Sequence, residues 1–273
     1  MYTEKLAENI AAKRRALGLT QQNVAEKLGV SFQAVSKWEQ GTACPDIALL
    51  PGIASLLGMT IDGLLGYPAR AATVYEERYQ SDDYYWGLKP NDMCFDIMKL
   101  RPPTKPYRVL DIGCGEGKDA VFLAKNGYIV TAFDAAQSGI DKARALADKS
   151  GVHIDLFKAD IRDWLPDEQY DIIYSSGVFT YLPRERRRLF IDSLKEHTSA
   201  GGLCALNVFV EKPFIDPAPD DNGENYSLWK SGELFGYCHD WLFHRNDELI
   251  FDCCSGGVPH KHCMDVLIAE KML

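Results

Sequence analysis

The sequence predicts an α/β protein in which a small all-α domain precedes an open, mostly parallel sheet. Three observations predict it. The stretch Tyr107 to Ala124 reads as an apolar strand, a glycine turn and an amphipathic helix. Strand-like and helix-like segments keep alternating after it, which is the pattern of a parallel sheet. The first 66 residues carry only short helical periods, separated by cap residues and glycines.

Composition sets the bounds. A chain of 273 residues, 46% of them apolar, can form two unequal domains with a sizeable core. The net charge of −9 does not fit a protein coated in nucleic acid. Residues 1–66 contain six Lys/Arg and six Asp/Glu, so that part is neutral and the whole −9 lies on the remainder. No apolar run approaches the ~20 residues of a membrane span, and the N-terminus lacks the apolar stretch of a secretory signal. The eight cysteines are scattered, with no C-x-x-C pair. That argues against a disulfide framework or zinc ribbon and for a reducing cytoplasm.

In the N-terminal part, Leu6, Ile10, Ala11 and Leu17 give the first helix its spacing. Thr20 can cap a second helix with Val24, Ala25 and Leu28 inward, and Gly29 supplies a tight turn. Ser31 can cap a third helix, with Val35 and Trp38 inward and Gly41 ending it. Apolar segments Ile47 to Leu57 and Ile61 to Leu65 follow. The run from Leu19 to Gly41 closely resembles the helix-turn-helix of the phage-repressor-like (XRE) family. In that family the third helix lies in the major groove and its first residues read base edges. The resemblance implies that Ser31, Gln33, Ser36 and Lys37 face DNA, with Gln33 able to pair bidentately with adenine. Gln21 and Gln22 would meet phosphate. Double-stranded DNA is then the implied partner, bound by a homodimer on two half-sites. A domain kept only for dimerisation or docking is the alternative, because phosphate neutralisation supplies most DNA affinity and this domain is neutral.

The domain boundaries expected are 1–67 for the helix-turn-helix domain, 68–106 for a linker and leader, and 107–273 for the sheet. Pro68 to Thr73 is the linker, and Val74 to Gly87 is an aromatic-rich leader. Next comes the run Val109 to Gly117, with glycines at 113, 115 and 117. It departs from the dinucleotide pattern G-x-G-x-x-G, and no Lys-Ser/Thr pair follows at Walker spacing. It resembles the S-adenosyl-L-methionine loop of the class I methyltransferases. Asp134 ends a second apolar run at the distance expected of a ribose-binding carboxylate, the alternative being a helix cap.

That resemblance implies a Rossmann-like class I methyltransferase domain: a seven-stranded, mostly parallel sheet with a C-terminal antiparallel hairpin. Carried over residue by residue, it implies that the cofactor is held by Asp111, Gly113, Cys114, Gly115 and Gly117 and by Asp134 and Ala135. Asp160 would meet the adenine amino group and Ile161 the ring, with Asp163 and Trp164 as alternates. Ser175 and Ser176, with Gly177, would line the methionine side. Tyr79 and Trp86, with Tyr85, would close over the sulfonium as an aromatic lid, or only pack the leader down.

The later elements expected are a helix from Ser138 to Asp148 and strands His153 to Lys158 and Tyr170 to Gly177. Pro183 suits the first turn of a helix from Arg184 to His197, whose Arg184, Arg186, Arg187 and Arg188 read as a solvated face. A turn at Ala200 to Gly202 precedes a strand from Leu203 to Val210. The segment Glu211 to Trp229, with Tyr226 and Trp229, reads as an insertion over the site mouth. The hairpin arms are Leu242 to Cys254 and Cys263 to Leu273.

The segments 111–117, 127–134, 170–182 and 232–234 are similar to the tellurite-resistance methyltransferases. This implies a small acceptor, a tellurite- or selenite-like oxyanion or a thiol-like group. His260 and His262 are the expected catalytic, basic or oxyanion-binding residues. They are placed in a glycine-rich loop and pointing opposite ways, so that one of them faces the site. Cys253, Cys254 and Cys263 stand near them, and thiolate with imidazole suits zinc, but the spacing matches no standard site and no metal is expected. The second function consistent with these motifs is a regulator whose methyltransferase fold senses S-adenosylmethionine or S-adenosylhomocysteine without turnover.

Overall fold

A computed structural model describes residues 2–66, 73–218, 227–254 and 257–272. The chain divides into two compact units, Met1–Ala71 and Ala72–Leu273. Parts of the linker, Tyr226, and Ser255 and Gly256 of the hairpin loop lie outside the described residues.

The first unit consists of α1 (Tyr2–Ala16), α2 (Gln21–Leu28), α3 (Phe32–Glu39), α4 (Leu50–Leu57), preceded by a 3-10 turn, and α5 (Ile61–Leu65). Its boundaries follow local chemistry. Thr20 and Asn23 form a reciprocal capping box at the start of α2. Gly29 ends α2 with a left-handed φ of 66° that a side chain would resist. The Ser31 hydroxyl accepts from the Ala34 N–H at 3.2 Å and opens α3. Ile10, Val24, Val35, Trp38, Ile53, Leu57 and Leu64 close the core. Leu17 departs from expectation: α1 stops at Ala16, and Leu17 is half exposed beyond it.

The second unit begins with α6 (Val74–Arg78) and α7 (Asp92–Leu100). Then come β1 (Arg108–Ile112), α8 (Lys118–Lys125), β2 (Ile129–Asp134), α9 (Gln137–Ser150), β3 (Asp155–Lys158) and β4 (Tyr170–Ser175). The last elements are α10 (Arg184–Glu196), β5 (Thr198–Val210), α11 (Glu233–Tyr237), β6 (Leu242–Cys253) and β7 (His260–Glu270). The seven strands lie in the order β3-β2-β1-β4-β5-β7-β6. All neighbours are parallel except β5 with β7 and β7 with β6. The order reverses between β1 and β4, so their C-terminal ends flank a crevice where an open α/β sheet takes its ligand.

Further sequence expectations change in this unit. The turn at Ala200 to Gly202 lies inside β5, because the ladder with β4 breaks register between Tyr170 and Ile172 instead of stopping. Arg187 is not on a solvated face: it is buried, forked onto Glu233, bonded to the Ser227 and Leu228 carbonyls, and 4.2 Å over the Trp229 ring. Trp229 is fully buried and donates to the Phe179 carbonyl, so it anchors the end of the expected insertion in the core. His260 and His262 belong to β7, not to a loop. Among the described residues no helix is long and apolar enough to cross a membrane.

Candidate functional site

The glycine turn is fastened to β2 from both sides. The Gly113 and Cys114 N–H groups donate to the Phe133 carbonyl, each at 2.9 Å. The Gly115 N–H donates to Asp134 Oδ2 at 2.9 Å, and the Ala136 N–H donates to Asp134 Oδ1 at 2.8 Å. Burial pushes the Asp134 carboxyl up, and these backbone donors pull it back down. Glycine is required here by geometry. A Cβ on Gly113 would lie 2.3 Å from Val178 Cγ2, and one on Gly117 would lie 2.6 Å from Ala143 Cβ. All three glycines also have positive φ.

Asp111 on β1 is buried beneath this turn, and its Oδ2 has no hydrogen-bond partner among the described residues. Burial, then the Asp119 charge, push its carboxyl well up. An orphaned buried carboxylate oxygen beside three glycines is a place for a donor or cation supplied from outside the chain.

The leader packs onto the turn. A Cβ on Gly115 would lie 2.9 Å from the Tyr79 hydroxyl, and Tyr79 is 4% exposed. Trp86 Nε1 donates to that hydroxyl at 3.2 Å. Tyr75 stacks on Tyr79 with centroids 5.3 Å apart, and Tyr85 meets Trp86 edge-on at 4.8 Å. Burial pushes the Tyr79 phenol up, so it stays protonated.

Two acidic residues that sequence reasoning passed over hold this leader. Glu76 accepts from the Gln137 and Ser138 N–H groups, and so caps α9, which has no side-chain cap of its own. Glu116, inside the glycine turn, is buried and paired with Lys142, whose Nζ also reaches the Ser81 and Asp83 carbonyls. The sequence carried no signal for Glu76, because Ser138 reads as the start of that helix, whereas α9 begins at Gln137 behind Ala136.

At the end of β4 the two serines have other partners. Ser175 is fully buried and donates to the Ile112 carbonyl, bracing β4 to β1. Ser176 accepts from Asn91 and from Asn207, both at 3.1 Å. Asn207, buried on β5, also accepts from the Gly177 N–H at 2.6 Å, and sequence reasoning missed it. Asp160 is engaged by the Arg162 guanidinium and backbone N–H, while Ile161 is buried in the core beside Phe133 and Trp164. Ala135 is half-buried next to Asp134, and Cys114 is half-buried with its thiol pushed up by burial.

The two histidines come together. His260 Nε2 and His262 Nε2 are 2.9 Å apart, so both rings lie on one side of β7. The expectation of opposite directions was an error of period: positions two apart on a strand share a face. Phe209 on β5 packs on His262 with centroids 4.7 Å apart and the rings tilted by 42°. The same ring lies 3.5 Å from where a Gly177 Cβ would be, so a single ring separates His262 from the end of β4.

On α3, Gln33 and Lys37 are exposed one turn apart, and Ser36 is half-buried, accepting from Gln40. Ser31 is engaged as the helix cap. Gln21 donates to Glu39, which is also forked by Arg14, and Gln22 donates to Glu26.

Residues 75–253 match the family model of the tellurite resistance protein TehB, and residues 10–64 match a helix-turn-helix model. A curated relative from Haemophilus influenzae, named "Probable S-adenosyl-L-methionine-dependent methyltransferase TehB", is 31% identical over 172 residues. That match covers 62% of this chain and 59% of the relative, so the chain spans well under two thirds of its length. The crystal structure of TehB from Haemophilus influenzae superposes with a TM-score of 0.59 at 26% identity, covering 73% of this chain and 66% of that one. The N-methyltransferase NodS of Bradyrhizobium japonicum, solved with S-adenosyl-L-homocysteine, shares the fold at a TM-score of 0.53 and 15% identity. It covers 72% of this chain and 97% of its own.

Proposed function

This chain belongs to the TehB tellurite-resistance family and carries a helix-turn-helix unit ahead of the family domain, and from that premise we propose that it is an S-adenosyl-L-methionine-dependent methyltransferase acting on a small molecule. The observation that carries the proposal is the Asp134 carboxylate at the end of β2, held against the Gly115 N–H of the turn after β1, beside the crevice where the strand order reverses. When bound, the sulfonium cofactor supplies a methyl group that is already activated.

The chain's own residues then bind, orient and exclude water. Asp134 keeps unused lone pairs for ribose hydroxyls. The orphaned Asp111 oxygen suits the cofactor's ammonium group. Ile161, buried beside Phe133 and Trp164, would back the adenine side from within the core. Tyr79, Tyr85 and Trp86 supply aromatic faces that suit a sulfonium and a cover that keeps solvent out. Alignment of this kind is most of what an in-line transfer needs from a protein. Ser175 braces the strands, and Ser176 with Asn207 fixes the Gly177 turn. The acceptor side is the region beyond Gly177 and Phe209, where His260 and His262 would hold an oxyanion or take the proton of a thiol.

For the first unit we propose double-stranded DNA as partner, read by the exposed Gln33 and Lys37 and bound by a dimer. That exposed helix face also favours a second reading, a regulator that binds the donor without turnover. The test is a screen of the purified chain with methyl-labelled donor against tellurite, selenite, small thiols and cell extract. Transfer of label with release of S-adenosylhomocysteine supports the enzyme. Donor binding with no transfer to any acceptor or extract leaves the regulator.

A further inference from the structure

Cys253 ends β6 and stands opposite His260, the first residue of β7, in the hairpin ladder. His262 follows on the same face of β7. One sulfur and two imidazole nitrogens lie within 4.8 Å of one another, on three half-buried side chains. We propose that Cys253, His260 and His262 form a three-ligand site for a soft divalent metal of the zinc class.

The chemistry and the geometry agree. Thiolate and imidazole are the ligands zinc prefers, and three protein ligands leave a fourth position for water or a soft anion, as in reactive zinc sites and unlike structural ones. His260 Nδ1 lies 2.7 Å from the Val258 carbonyl oxygen, which can only accept. The Nδ1 position therefore carries the proton, and in the neutral ring the Nε2 lone pair accepts from His262 Nε2, whose proton a bound metal ion would displace. A backbone carbonyl on the far nitrogen is how metal-binding histidines are oriented. The two rings are nearly perpendicular at 87°, so their edges converge without stacking. Tetrahedral bonds of about 2.0–2.1 Å set two nitrogens roughly 3.3 Å apart. The observed separation of 2.9 Å needs to open by less than about half an ångström. Phe209 and Phe251 pack on His262 and give the site an apolar wall.

Spacing along the chain hid the site. Standard zinc patterns count residues within one turn or helix, whereas here the ladder brings the two arms of a hairpin together. The arms pair from Leu242 with Glu270 to Cys253 with His260, so the sheet positions the ligands before any metal arrives.

The test uses the full chain, stripped of metal with a chelator and titrated with cobalt(II). A tetrahedral thiolate site gives a sulfur-to-cobalt charge-transfer band with strong d–d bands, saturating at one ion per chain and bleached by zinc. Cys253→Ser is expected to abolish the charge-transfer band. His260→Ala is expected to weaken cobalt binding about tenfold or more, since even an outer-shell partner is worth that much. Cys254→Ser, which alters the exposed neighbouring thiol, is expected to leave the band intact. Absence of the band in the parent protein, or its survival in Cys253→Ser, would overturn the site. Donor affinity measured by calorimetry on the same samples reports folding separately, so failure of the metal site is distinct from failure of the methyltransferase proposal.

Discussion

The Gly115 N–H and the Asp134 carboxylate meet at 2.9 Å, nineteen residues apart in sequence. This bond ties the turn after β1 to the end of β2, so the two stretches that would cradle an adenosyl group move as one body. Parallel pairing of β1 with β2, from Arg108 with Ile129 to Ile112 with Phe133, brings them there.

Glu76 holds the leader by capping α9, with its carboxylate on the Gln137 and Ser138 N–H groups and its carbonyl accepting from the Ser138 hydroxyl. Glu76→Gln is expected to lower the melting stability of the second unit by about 1 kcal/mol, the usual value of a cap. Amide exchange at Tyr75 and Tyr79 should accelerate. Glu77→Gln, an exposed neighbour, should change neither.

Arg187 joins α10 to the start of α11 through Glu233 and to the segment before it through Ser227 and Leu228. Its guanidinium is buried, so Arg187→Met takes the guanidinium from two carbonyls and from the Glu233 carboxylate, which keeps the Lys230 N–H. A loss of about 3 kcal/mol is expected by urea unfolding, toward the lower end for a broken buried pair because Glu233 keeps some solvent.

Asp265 on β7 accepts from the Gly232 N–H at 2.7 Å, and burial raises its pKa from 3.8 to about 6. Between those values the native state holds a proton that the unfolded chain has released. Stability is therefore greater below the window and falls as pH rises through it. Asp265→Asn is expected to melt above the parent at neutral pH, with the gap closing toward the lower end of the window. Parallel melting curves at all pH values would assign the proton elsewhere.

On α3, Gln33→Ala is expected to relax base preference at one operator position, and Lys37→Ala to reduce the salt slope of DNA binding by about 1. Anisotropy titrations against selected and random duplexes measure both. If the parent prefers no sequence over random DNA, the helix is not a reader.

Much of this was legible in the chain. Glycines at 113, 115 and 117 after an apolar run specify a strand-turn-helix through local sterics, and Asp134 at the end of the next run was singled out by the resemblance to the class I methyltransferase loop. Thr20, Gly29 and Ser31 likewise mark the helix ends. The residues that were misread act across the fold. Arg187 reads as surface because its neighbours Arg186 and Arg188 are basic, and only Trp229 and Glu233, brought from forty residues away or more, bury and pair it. Glu76 caps a helix sixty-one residues downstream. Cys253 and His260 meet only because β6 and β7 pair in one register, which no count along the chain supplies.

Isothermal titration of the purified chain with S-adenosylhomocysteine, alongside Asp134→Asn, tests the donor seat most directly. One site per chain is expected in the parent. The variant should bind more weakly by about 1.5–3 kcal/mol, the value of a hydrogen bond to a charged group, because an amide placed there sets an N–H against the Gly115 or Ala136 N–H. No binding by the parent, or equal affinity in the variant, would contradict it.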